Sequence, residues 1–363
     1  MREGWTYKKL GEVGNVVTGS TPSTKDAANY ASPDYCFVKP SDLPSTGIAV
    51  IDDSEFHISA KAFESARQLP KGSIVVSCIG IIGKVGILNK DACTNQQINA
   101  IIPNGTIMPK CLAYIICYKK SELEQIANAP VVPIINKGEF SKFLISVPPI
   151  SEQQSIVAEL DKINELISLK KAQLSDLDAL AQSIFYDMFG DPIENEKGWE
   201  VKLWSDVLTI INGKNQKSVE CVGGEFPIYG SGGIMSYANN WLCPEECIII
   251  GRKGNINKPI FVRTKFWNVD TAFGLDAKRD ILSPTYLYYF CIDYDFERHN
   301  KAVTIPSLTK ADLLKISIPL PPLPLQQEFA KRIELIEQQK AQISSTIKDL
   351  ETLLASRMQY WFD

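Results

Sequence analysis

Two stretches of this sequence run a series of aliphatic residues into glycines and basic side chains. One is VVSCIGIIGKVG, which contains Gly80 and Lys84; the other is IIIGRKGNINK, which contains Arg252, Lys253, Asn255, Asn257 and Lys258. Glycine has no Cβ, so a strand entering such a loop can bring its backbone close to another chain or to a phosphate, and the basic residues can neutralise phosphate charge. A plain hairpin could be written with the same residues. The recurrence in two halves of the chain, with Gly80 standing opposite Gly254, favours a loop that faces DNA.

Further candidates surround these loops. Lys39, Ser41 and Asp42 follow a hydrophobic strand in FVKPSDL, and Tyr229, Ser231 and Gly233 occupy the corresponding region of the second half. Lysine can reach guanine O6 and N7, aspartate can accept from cytosine N4, and serine bonds to phosphate or base. Turn capping is the competing role for Asp42 and Ser231. Asn95, Gln96 and Gln97 form an amide cluster with the chemistry to pair with adenine, as do Asn255 and Asn257, although amides also satisfy strand edges.

Catalytic chemistry finds little support. Asp270, Asp276 and Lys278 superficially spell a nuclease set, but their spacing is short for a metal-binding strand pair and the first half has no counterpart. GIIGK lacks the length and the Ser or Thr of a phosphate-binding P-loop. Both Pro-Pro pairs are preceded by Val or Leu, so no adenine-methyltransferase string is present. His57 and His299 are the only histidines and stand isolated in sequence, which leaves a hydrolase triad or a zinc site little to draw on. Cys243 and Cys247 are a close pair without obvious further ligands, and no metal site is expected.

The elements that must position these loops are written twice. GWTYKKLGEVGNVVTG (Gly4–Gly19) aligns with GWEVKLWSDVLTIING (Gly198–Gly213), and PIINKGEFSKFLISVPP (Pro133–Pro149) with PSLTKADLLKISIPLPP (Pro306–Pro322); the second copy is shorter inside. Gln153 and Gln154 then fall on Gln326 and Gln327. After each proline pair comes a stretch of about 35 to 39 residues without glycine or proline. Ile163, Ile167, Leu174 and Leu177 in the first, and Ile336, Ile343, Ile347 and Leu350 in the second, recur at helical spacing. Each helix would span roughly 55 Å, and such stripes are most economically buried against each other, as an antiparallel coiled coil. Separate packing of each helix on its own domain is the alternative.

The expected fold class is α+β: two similar α/β recognition globules, β-rich with some helices, related by pseudo-twofold symmetry. The expected boundaries are 1–150 for the first globule, 151–190 for the first long helix, 191–323 for the second globule and 324–363 for the second helix. Strands are expected in SIVVSCIG, GKVGILN, INAIIP, ECIIIG and PIFVRT, and helices in CLAYIICYKKSELEQIA and SPTYLYYFCIDYDF.

With 363 residues, 45% hydrophobic and 22% charged, the chain has the composition of a folded protein large enough for two cores. Its net charge of −4 is not the footprint of general nucleic-acid affinity. By segment the nets are +2, −4, −1 and −1, so most of the negative charge sits on the first long helix. Nine cysteines in apolar contexts suit a reducing compartment. No apolar run is long enough to span a membrane, and the opening residues lack a secretory core, so a cytoplasmic location without membrane partners is expected.

On VTGSTPS (Val17–Ser23, including Ser20 and Thr21) and FVKPSDL in the first half, FPIYGSGGI and CIIIGRKGNI in the second, and the repeated proline pair, Gln-Gln and helix, the chain resembles the specificity (S) subunit of type I restriction-modification enzymes over essentially its whole length. The resemblance implies a non-catalytic subunit that reads double-stranded DNA at a bipartite asymmetric target. It also implies helices that set the spacer and dock methyltransferase (M) and restriction (R) subunits. S-adenosylmethionine, ATP and magnesium would then belong to those partners, with no cofactor on this chain. The alternatives are a single-chain restriction-modification enzyme or nuclease, which predicts a complete cofactor or metal motif, and a coiled-coil interaction protein without DNA, which predicts buried glycine loops.

Overall fold

The computed structural model describes residues 2–127, 132–300 and 306–363. Its contacts divide the mixed α/β chain into two compact units, Met1–Leu169 together with Ile347–Asp363, and Lys170–Thr346. Each long helix therefore contributes one part to each unit.

In the first unit the strands are β1 (Thr6–Lys9), β2 (Gly14–Thr18), β3 (Tyr35–Val38), β4 (Ile48–Ile51), β5 (His57–Ile58), β6 (Ile74–Ser77), β7 (Val85–Leu88), β8 (Ala92–Thr94), β9 (Ile98–Pro103) and β10 (Leu144–Val147). They form a five-stranded sheet ordered β2-β9-β6-β7-β4, a three-stranded sheet ordered β5-β3-β8 and the pair β1-β10. The strands β6 (IVVS) and β7 (VGIL) are buried throughout, which is why neither shows the alternation of apolar and polar residues expected of a half-buried strand. A short helix, Pro109–Tyr118, begins on proline, whose missing N–H costs nothing at a helix start. It buries Leu112, Ile115 and Ile116 in a core shared with Ile74, Val76 and Val85, and with Ile156, Val157 and Leu160 of the first long helix. The segment anticipated as one helix from Cys111 breaks at Lys119 and resumes over Lys120–Ile126.

The second unit repeats this plan with fewer strands. Its strands are β11 (Glu200–Leu203), β12 (Leu208–Asn212), β13 (Phe226–Gly230), β14 (Gly233–Ala238), β15 (Cys247–Gly251), β16 (Ile260–Val262), β17 (Trp267–Asn268), β18 (Ala272–Ala277) and β19 (Ser317–Leu320). They form sheets ordered β12-β18-β15-β16 and β14-β13-β17 and the pair β11-β19. The pairs β1-β10 and β11-β19 do the same job: an early strand runs antiparallel to the one leading into a long helix.

The long helices cover Ile150–Phe189 and Leu323–Phe362, each 40 residues and each starting one residue before the expected boundary. In the second unit they run antiparallel: Lys340 pairs with Asp178 at 2.7 Å, and Phe329 sits in an aromatic cluster with Phe185, Phe189, Tyr286 and Tyr289, centroids 4.8 to 5.8 Å apart. In the first unit Arg357 and Trp361 both donate to the Glu159 carboxylate, and Met358 and Phe362 enter the core that holds Ile156 and Leu160. Ile163, Ile167, Leu177, Ile336, Ile343 and Ile347 are buried, and Leu174 and Leu350 are half-buried.

The repeated Gln-Gln now has a physical reason. Gln153 is fully buried; its Oε1 accepts from Met108 N at 2.7 Å, and its Nε2 donates to the carbonyls of Pro148 (2.8 Å) and Thr106 (3.4 Å). Gln326 is also fully buried and repeats the set with Ser283 N (2.8 Å) and the carbonyls of Pro321 (2.7 Å) and Ile281 (3.1 Å). One amide thus caps the short helix and ties it to the proline pair. Gln154 and Gln327 are exposed.

Candidate nucleic-acid interface

The two glycine loops are built alike. Gly80 and Gly254 take φ of +78° and +79°, a region in which a Cβ is strained. Their N–H groups donate to the carbonyls of Pro133 (3.0 Å) and Pro306 (3.1 Å). Just before them, Cys78 N bonds to Gln97 O and Arg252 N to Thr271 O, both at 2.8 Å. Ile82 and Ile256 anchor the loops in the cores at 3% and 2% exposure. The position between glycine and anchor is exposed in both, and is Ile81 in the first loop and Asn255 in the second.

A second shared feature lies at Gly19 and Gly213. A Cβ on Gly19 would stand 2.1 Å from Asn95 O, and one on Gly213 1.8 Å from Val269 O. This close approach lays Ser20 and Thr21 along the amide cluster: Ser20 N donates to Thr94 O at 2.8 Å, and Thr21 Oγ1 to Gln96 Oε1 at 2.6 Å.

The sequence-predicted residues divide into those with free faces and those engaged inside the fold. Asp42 is engaged: its two oxygens accept from Lys39 N (2.7 Å) and Glu55 N (2.9 Å), closing the turn after β3. The Lys84 ammonium donates to the carbonyls of Pro40 and Leu43, both at 3.1 Å, tying the glycine loop to that turn. Asn95 is buried and exchanges two bonds with Gln97. Asn257 donates to Asp295 and accepts from Phe296 N, holding a distant turn. Ser41, Gln96, Arg252, Lys253, Asn255 and Lys258 are exposed.

In the first unit these groups border a cleft of about 540 Å³ lined by Thr21, Lys39, Asn95 and Gln97 together with Tyr30, Phe37 and Phe56. The Lys39 ammonium lies 3.0 Å from the centre of the Phe56 ring, a cation–π contact. Tyr30 and Phe56 carry no spacing signal and were not anticipated. In the second unit the turn between β13 and β14 meets the glycine loop, with Ser231 Oγ 3.4 Å from Lys253 O. Gly233, at φ +121°, completes that turn. Tyr229 packs edge-on against Phe266, and burial, then the neighbouring Tyr237, push its hydroxyl pKa up.

The nuclease-like set does not assemble: Lys278 donates to Asp206 O, while Asp276 is paired loosely with Arg279 at 3.9 Å and burial raises its pKa. Cys243 and Cys247 are buried side by side, and the Cys243 hydrogen bond, then burial, hold the Cys247 thiol protonated. The histidines are not isolated in space. His57 bonds to Asp53 at 2.9 Å and His299 to Tyr294 at 2.6 Å.

Two copies of a duplicated recognition plan lead to a comparison with known families. The family model of the type I restriction modification DNA specificity domain matches residues 2–179 and 196–352. The chain belongs to this family. It is 27% identical over 374 residues to the type I restriction enzyme MjaIX specificity subunit of Methanocaldococcus jannaschii, covering 91% of this chain and 86% of that one. It is 22% identical over 407 residues to the putative MjaX specificity subunit of the same organism, covering 97% and 93%. Among solved structures, the S subunit of a type I restriction-modification system from M. genitalium superposes with a TM-score of 0.60 at 14% identity, covering 99% and 96%. A chain from a study of complex assembly and conformational transition in the type I system gives 0.60 at 18%, covering 99% and 97%. At those identities the structural likeness shows the fold. A specificity subunit recognises DNA sequence and is not itself catalytic; among the described residues, no helix is long and apolar enough to cross a membrane.

Proposed function

We propose that the two units read unlike halves of one bipartite, asymmetric DNA target, and that the long helices set the spacing between the halves and dock M subunits, with R subunits joining through them. S-adenosylmethionine, ATP and magnesium act on those partners. The observation that carries this reading is the pair of equivalent glycine loops whose exposed positions differ, Ile81 against Asn255. The same backbone device offers an apolar side chain suited to a thymine methyl in one unit and an amide suited to adenine N6 and N7 in the other. Basic residues beside the loops, Arg252, Lys253 and Lys258, supply phosphate contacts, and Ser41, Gln96 and Lys39 extend the first reader.

The reading is tested by sequencing the methylome of cells that carry this chain with its methyltransferase. Modified adenines are expected at one motif with two unlike halves. Ile81→Asn should alter only the half read by the first unit, and Asn255→Ile only the other. Methylation without a bipartite motif, or an unchanged motif in both variants, would overturn it.

A further inference from the structure

Strands β3 and β5 pair antiparallel with Cys36 directly opposite His57, so their side chains leave the same face of the sheet. The loop before β5 swings Asp53 over that face. The Cys36 thiol lies 3.5 Å from Asp53 Oδ1, and His57 Nε2 lies 2.9 Å from the same oxygen. Among the described residues this is the group of three His, Cys, Asp or Glu whose donor atoms all fall within 4.8 Å of one another.

We propose that Cys36, Asp53 and His57 form a zinc site in the first unit, with a fourth position open to solvent.

The donor set is the first argument. A thiolate, an imidazole and a carboxylate are the three ligand types zinc uses, and they suit it better than calcium or magnesium, which require oxygen. Geometry is the second. Zinc bonds of about 2.0 to 2.3 Å at tetrahedral angles place neighbouring donors roughly 3.3 to 3.7 Å apart. The sulfur–oxygen separation already fits. The nitrogen–oxygen separation must open by about half an ångström on the same reckoning, and Asp53, whose side chain is 71% exposed, is free to move by that much. Burial is the third. Cys36 is 2% exposed, which shelters a bound thiolate, while His57 is half-buried and leaves one side of the cluster wet.

The opposing charge is Lys90, whose ammonium stands 3.6 Å from Asp53. Its side chain is 53% exposed and can turn away, so it competes with the metal without excluding it. The Asp53 carboxyl needs no deprotonation, since the His57 hydrogen bond, then the Ser54 backbone, hold its pKa down at about 2. Binding therefore releases the thiol proton of Cys36, shifts the proton that His57 Nε2 now donates to Asp53 onto Nδ1, and forms the zinc–sulfur and zinc–nitrogen bonds.

Such a site would fasten β3 to β5 one residue away from Phe37 and Phe56. Those rings wall the cleft that holds Lys39, and Phe37 N already donates to Phe56 O at 2.9 Å. Metal binding would stiffen the reading cleft of the first unit. That consequence rests on the proposed function; the site itself does not.

The test uses the full chain, stripped with a chelator and titrated with zinc against a chromophoric competitor, and separately with cobalt. One equivalent of zinc is expected. Cobalt should give a thiolate-to-metal charge-transfer band, lost in Cys36→Ser. His57→Gln, which keeps the thiol, should weaken zinc binding at least tenfold, Lys90→Ala should tighten it, and Cys243→Ser should leave it unchanged. Zinc should also raise the unfolding midpoint of the wild type and not that of His57→Gln. No stoichiometric uptake by the wild type, or zinc uptake by Cys36→Ser and His57→Gln as tight as that of the wild type, would overturn the proposal. Neither result bears on whether the methylome shows a bipartite motif.

Discussion

Replacing Gln153 by leucine removes an amide from a fully buried position while nearly conserving its volume, so the cost isolates polar satisfaction from cavity formation. The Met108 N–H loses its 2.7 Å acceptor and the Pro148 carbonyl its 2.8 Å donor, with the long bond to Thr106 also lost. A buried polar group left without a partner costs about 1–3 kcal/mol. Two well-made bonds and one long one give about 2–5 kcal/mol by that scale. Amide exchange followed by mass spectrometry resolves the effect locally. At about 1.4 kcal/mol per tenfold, the helix Pro109–Tyr118 should lose protection by a factor of about 30 to several thousand. Gln326→Leu should do the same to Pro284–Asp293 in the second unit. Gln154→Leu is the internal control: it changes the exposed neighbour of the repeated pair and should stay within about 0.5 kcal/mol of wild type. Equal protection in Gln153→Leu and Gln154→Leu would refute the reasoning.

Other consequences are equally open to measurement. Hydrogen bonding from Arg357 holds the Glu159 carboxyl below its ordinary range, so its stabilisation is present above the unfolded carboxylate value and is lost as pH falls through the folded one. Glu159→Gln should therefore lower the urea midpoint at neutral pH and lose that effect in acid. Replacing Arg252 and Lys253 by alanine should weaken DNA binding of the assembled complex on every sequence alike, and reduce the salt dependence by about two, close to one per phosphate contact. Gly213→Ala would press a Cβ to 1.8 Å from Val269 O, which should cost about 2 kcal/mol or more and lower the thermal midpoint by about 5 °C.

Much of the architecture is visible in the residues because it rests on local rules. The long helices declare themselves through sustained apolar spacing, and INAIIP becomes β9 over Ile98–Pro103. The glycines at 80 and 254 are legible because a left-handed backbone demands them in both copies. What could not be read needs the register of distant strands. Asp42, Lys84 and Asn257 look like free polar groups until the turns they close are known. Tyr30 and Phe56 look like core until the cleft appears beside them. His57 seems solitary because its partners come from a strand pairing and a loop that no spacing announces. Gln153 and Gln326 repeat visibly, but a buried amide reveals its role only when the helix end it caps is in place.

Arg2 of the first unit bonds to the Tyr360 carbonyl and lays its guanidinium 4.2 Å from the Tyr360 ring and 4.9 Å from that of Trp361. One guanidinium thus fastens together segments 358 positions apart in sequence, both within the first unit. Removing it by Arg2→Ala would let the last turn of the second long helix fray while leaving the sheets in place.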